Sequence, residues 1–130
     1  MPNADHAQRI TDTVHRYLRL VADGSADDIA DLYAEDATVE DPVGGEIHIG
    51  RRAIHGFYSA VDNVQRECEL VTLRVCGNEA AFHFRLTVAL PSQGAEHRMV
   101  IEPIDVMVFD DEGKVAAMKA YWSPADVRQL

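Results

Sequence analysis

The sequence predicts an α+β fold: three helices in its first half, then a curved antiparallel sheet that they close over one face. Three observations predict it. Apolar residues recur at helical spacing to about residue 60, the period falls to two from about Arg66 onward, and turn-forming clusters separate the later runs. Helices packed on one side of such a sheet leave a cone-like pocket between the two layers.

The first helix carries Ile10, Val14, Tyr17, Leu18 and Val21 on one face and stops at Gly24. A second, short helix opens between Ser25 and Asp28 and turns Ile29, Leu32 and Tyr33 inward. Ala37 to Asp41 alternate as a short strand, which Pro42 halts before Gly44-Gly45 turns the chain. The third helix runs from about Arg51 to Val61, with Ile54, Phe57, Tyr58 and Val61 aligned. Leu70 to Cys76 reads as a strand, and Gly77-Asn78-Glu79 as a hairpin turn. Phe82, Phe84, Leu86, Val88 and Leu90 share one face of the next strand, and Pro91-Ser92-Gln93-Gly94 turns the chain again. One long strand is expected from about His97 to Phe109, then the acidic turn Asp110-Asp111-Glu112-Gly113, and a last strand through Trp122. No repeat, low-complexity run or linker interrupts the 130 residues, so one domain with a single core is expected over 1–130.

Twelve basic residues against 22 acidic ones give a formal charge of -10. That balance repels phosphate backbones and anionic membranes, so neither nucleic acid nor membrane is an expected partner. No run approaches the roughly 20 apolar residues that span a bilayer. Met1-Pro2-Asn3-Ala4-Asp5-His6 shows neither the basic nor the apolar part of a signal peptide, so a cytoplasmic address is expected. Cys68 and Cys76, eight residues apart on one strand, would stand about 26 Å from each other, far beyond disulfide reach. They read as small core residues. The six histidines form no H-x-x-x-H pattern and there is no C-x-x-C, so no metal is expected.

Two carboxyls break the apolar pattern. Asp105 shares its face with Met99, Ile101, Pro103, Met107 and Phe109. Burial there would favour the neutral, hydrogen-bond-donating acid, whereas an edge or bulge at Pro103 would let it reach water or an arginine. Asp41 faces the same way as Ala37 and Val39, and Pro42 biases it toward an extended backbone. It is either an inward carboxylate or the start of an Asp-Pro turn. Glu40 points to the opposite side and carries no expected chemistry. Tyr17, Tyr33 and Tyr58 lie on inward faces, as core residues or as a connected hydroxyl network. His48 reads as a turn residue, His55 as helix surface, and His83 as facing away from Phe82 and Phe84.

On these residues the chain resembles the bacterial Δ5-3-ketosteroid isomerases, within the wider nuclear-transport-factor-like fold. The segment Tyr33-Ala34-Glu35-Asp36-Ala37-Thr38-Val39-Glu40-Asp41-Pro42-Val43-Gly44 is very close to that family's hallmark stretch. Further matches are Arg16-Tyr17, Gly56-Phe57-Tyr58, Asn78-Glu79-Ala80-Ala81-Phe82, Pro103-Ile104-Asp105-Val106-Met107 and Met118-Lys119-Ala120-Tyr121-Trp122. The resemblance implies that Asp41 is the general base, that Tyr17 and a protonated Asp105 form the oxyanion hole, and that Tyr33 and Tyr58 support Tyr17. It implies a steroid substrate, a homodimer, and no metal or organic cofactor. For a flat hydrocarbon substrate, Phe57, Phe84, Leu86, Met107, Met118 and Trp122 are the candidate lining. Departures fall at Asp62 to Arg66, at Ser92 to Arg98 and at Glu102. The rival readings are a non-catalytic steroid or lipid carrier, a polyketide-cyclase-like enzyme and an epoxide hydrolase. The last would be expected to place an arginine between two carboxylates, and no inward arginine is evident in the pattern.

Overall fold

A computed structural model describes residues 4–60, 62, 64–89 and 97–130. In chain order it contains α1 (Ala4–Asp23), α2 (Ala26–Ala30), β1 (Tyr33–Glu40), β2 (Ile47–Ile49), α3 (Arg51–Ser59), β3 (Arg66–Cys76) and β4 (Glu79–Ala89). There follow β5 (Arg98–Ile101), β6 (Ile104–Phe109), β7 (Val115–Tyr121) and β8 (Val127–Gln129). The strands form one open sheet in the order β2-β1-β7-β6-β4-β5-β8, with β3 paired to β4. All pairings are antiparallel except β1 with β7.

The helices cover one face. Val14, Tyr17 and Leu18 of α1, Ile29 of α2, and Ile54 and Tyr58 of α3 pack on Val39, Phe82, Phe84, Phe109 and Val115. Each such large side chain, fully buried, stabilises the fold by about 1.5–3 kcal/mol. Gly24 ends α1 because the chain folds back on itself there: a Cβ would stand 2.7–2.9 Å from Leu20 atoms. The Ser25 side chain then accepts the Asp28 N–H at 3.1 Å and caps α2. Arg66, at the start of β3, donates from Nε to the Val21 carbonyl at 2.6 Å and from a terminal nitrogen to that of Gly24 at 2.9 Å. A guanidinium suits the negative end of α1 and ties that end to the sheet.

The structure departs from the sequence expectations at several places. Tyr33 opens β1 instead of closing a helix: the chain leaves α2 at Asp31-Leu32, and Tyr33 pairs with Val115. The long strand is broken at Glu102-Pro103 into β5 and β6, since proline has no N–H for the ladder. Register is nonetheless kept, because Leu86 faces Ile101 and His83 faces Ile104 with no residue inserted between. The short strands β2 and β8 carry no periodic signal and were not expected. Both cysteines are free, and Cys76 is exposed on the outer part of β3 instead of in the core; Cys68 is half-buried. Val61, Leu90 and the turn at Pro91-Ser92-Gln93-Gly94 lie outside the described residues.

Candidate active site

An apolar cavity of about 240 Å³ opens between the helical layer and the sheet. Tyr17 and Val21 of α1 and Phe57, Tyr58 and Ala60 at the end of α3 form its helical side. Phe84 and Leu86 of β4, with Ile101 and Pro103, form its floor, and Asp41 and Trp122 stand at its rim. A larger groove of about 590 Å³ runs between α1 and the β6–β7 turn, but it is bordered by His6, Arg9, Asp12, Thr13, Asp111 and Glu112. The smaller, apolar cavity is the candidate site because the buried titratable groups converge beside it.

Three phenols are strung together from β1 through α3 to α1. The Tyr33 and Tyr58 hydroxyls lie 2.7 Å apart, and those of Tyr58 and Tyr17 lie 2.9 Å apart. Burial, first of all, pushes each of the three far above the ordinary tyrosine range, so all stay protonated. Each phenol has one proton to give. If Tyr33 donates to Tyr58 and Tyr58 to Tyr17, the Tyr17 O–H is left for a ligand in the cavity, and the chain behind it strengthens that donor.

Asp105 is 1% exposed, and neither carboxyl oxygen has a hydrogen-bond partner. The unbroken register through Pro103 is what places it inward, beside Phe82 and Ala120, instead of at a bulge reaching water. Burial and, secondly, the charge of Asp41 raise its pKa well above the carboxylate range. It does not line the cavity, but Pro103, on the same face of the chain two residues earlier, does.

Asp41 follows β1 directly and is half-buried. Burial raises its pKa, while the Trp122 indole and His48 pull it back. The indole Nε1–H donates to Asp41 Oδ1 at 2.6 Å. Sequence reasoning took Trp122 as hydrocarbon lining and missed this bond. The available signal was that a half-buried indole N–H needs an acceptor.

Of the other expected lining residues, Phe57, Phe84 and Leu86 face the cavity. Met107 and Met118 do not: both are fully buried in the core beneath it, because side-chain parity fixes the face of a strand and not the depth along it. Val21, Ala60 and Ile101 also line the cavity and were not among the expected lining residues. His48 lies on β2 and not in a turn, with its ring 4.8 Å from that of Phe57. His55 meets Asp27 at 2.6 Å and His83 meets Glu102 at 3.1 Å. Among the described residues, no group of three His, Cys, Asp or Glu is placed to hold a metal ion. An inward arginine does exist in Arg66, buried at the end of α1 and donating to main-chain carbonyls there.

With this geometry in place, the relatives are informative. Residues 14–118 match the SnoaL-like domain. A steroid Delta-isomerase of Nocardioides simplex is 46% identical over 114 residues, covering 88% of this chain and 89% of that protein. The chain belongs to the steroid Delta-isomerase family of SnoaL-like proteins. Epoxide hydrolase LasB of Streptomyces lasalocidi is 26% identical across 98% of this chain and 52% of its own length. A solved structure of SalBIII, an epoxide hydrolase/cyclase-like enzyme of pyran ring formation in salinomycin, superposes with a TM-score of 0.87 at 26% identity. That match covers 95% of this chain and 97% of the other.

Proposed function

We propose that the protein isomerises Δ5-3-ketosteroids to their conjugated Δ4 isomers, with Asp41 as the proton carrier. The observation that carries the reading is one carboxylate at the cavity rim, held by Trp122, opposite a hydroxyl chain and a buried, unpartnered acid. The Asp41 carboxylate takes the proton from C4, the electron pair moves toward O3, and a dienolate forms. The same carboxyl then returns the proton to C6, and the double bond ends in conjugation with the ketone. Tyr17 and neutral Asp105 would donate to O3 as its charge grows, each such donor lowering the barrier by about 3–4 kcal/mol. Raised by burial, Asp41 is a stronger base than an exposed aspartate. The apolar lining suits the steroid hydrocarbon.

We further propose a homodimer built on the outer face of the sheet. There Ile104 and Tyr121, cross-strand neighbours on β6 and β7, are about half exposed, at 48% and 47%. Glu102, ringed by His83, Arg85 and Arg128, gives this face a charged border. Two unpaired cysteines suit the reducing cytoplasm.

The test is direct. Purified protein and 5-androstene-3,17-dione, without additives, should give rising enone absorbance at catalytic protein concentration. Tight steroid binding with no absorbance change would instead indicate a carrier.

A further inference from the structure

β2 is a three-residue edge strand, yet it places one side chain against the wall of the cavity. His48 is directly opposite Val39, so the two share a face of the sheet, and Asp41 follows Val39 by two residues on that same face. The imidazole is half-buried and sits 4.8 Å, ring centre to ring centre, from Phe57. Phe57 in turn meets Tyr58 edge-on at 5.0 Å. One set of aromatic contacts therefore backs the ring that walls the cavity next to Asp41, and its outermost member is an imidazole.

We propose that His48 is a positioning residue for Asp41: it braces the Phe57 wall beside the carboxylate and, when protonated, weakens that carboxylate as a base. The role rests on the reading of Asp41 as the base. The other charged groups on the surrounding elements are engaged or turned away. On β1, Glu40 lies on the opposite face and accepts the Gly44 N–H at 2.9 Å, and Glu35 and Asp36 are exposed. On α3, Arg51 donates to the Tyr33 carbonyl at 2.7 Å and 3.2 Å, Arg52 is exposed, and His55 meets Asp27. Glu46, just before β2, is exposed. Asp41 is left as the carboxylate on the face that His48 shares, and the pull of His48 on its acidity agrees with that placement.

The consequence is a sign that ordinary packing would not produce. A charge at position 48 stabilises the carboxylate, so removing it raises the pH at which Asp41 loses its proton, and a substitute that keeps it holds that pH where it was. The experiment follows the Asp41 carboxyl carbon by NMR through a pH titration in the wild type, His48→Gln and His48→Lys. The acid limb of kcat/KM is measured on the same proteins. Gln, which carries no charge, should move both midpoints up by roughly 0.5–1 pH unit, and Lys, which keeps the charge, should leave both near the wild-type values. A purely structural role would change KM or Tm in both variants without separating their midpoints. The proposal is overturned if Asp41 titrates at one pH in all three proteins, or moves equally with Gln and Lys. Because the carbon titration needs no turnover, it stands apart from the base assignment, which fails separately if Asp41→Asn keeps its activity.

Discussion

Asp41 and Asp105 are the same side chain in two settings, one at the rim of the cavity and one buried behind its lining. Asp41 has a rim position, an indole donor at 2.6 Å and a histidine nearby. Asp105 has apolar walls, no donor and 1% exposure. Burial raises both, but only at Asp41 is that push opposed, by an indole donor and by His48. The difference teaches that protonation state here follows from what each oxygen can reach. A donor holds a carboxyl back toward its charged form, and burial without one pushes it toward the neutral acid.

The sharpest way to break the comparison is to remove the charged member. Asp41→Asn should lower kcat by about 10³-fold or more, since among the described residues no other carboxylate lines the cavity to carry the proton; steady-state isomerisation rates decide it. Tyr17→Phe should cost about 10²–10³-fold in kcat with little change in KM, because its donor matters most once charge has moved to O3. Asp105→Asn keeps a donor and should be milder than either, near tenfold or less by the same logic.

The Asp105→Asn variant also carries a stability signature. The folded pKa of Asp105 is raised, so its contribution is fully present below the unfolded value of about 3.9 and is lost as pH rises through the folded pKa. Asparagine has no such dependence. Urea unfolding should therefore show the variant gaining on the wild type as pH climbs from 4 to 9; a constant difference would mean that Asp105 is charged in the folded protein. The smallest effect is expected of Trp122→Phe. Losing the indole donor should raise the acid limb of kcat/KM by about 1 pH unit or less and leave the plateau within severalfold.

Much of this contrast was legible in the sequence, and for identifiable reasons. The inward turn of Asp105 followed from strand parity, and parity survived because Pro103 interrupts hydrogen bonding without adding a residue. Tyr17 and Tyr58 followed from helical spacing on α1 and α3. Tyr33 was given the right side but the wrong element, since Ile29, Leu32 and Tyr33 mimic a helical face across a turn. The partners of Asp41 were hidden. Trp122 and His48 reach it from β7 and β2, which are distant in sequence, and a three-residue strand such as β2 has too few positions to show a period.

The break at Pro103 has one more consequence. β4 runs alongside β6 with its first half and β5 with its second, and from there the two rows part, one toward β7 and β1, the other toward β8. The sheet is forked, like cloth slit at the hem. The chain from Trp122 to Asp126 is the stitch across the slit, fastened where the Glu102 N–H meets the Asp126 carbonyl at 3.2 Å. Ile101 and Pro103 stand at the crotch of the fork, and the cavity opens beside them. The break in the strand and the wall of the cavity thus meet at one residue, Pro103, whose missing N–H ends the ladder there.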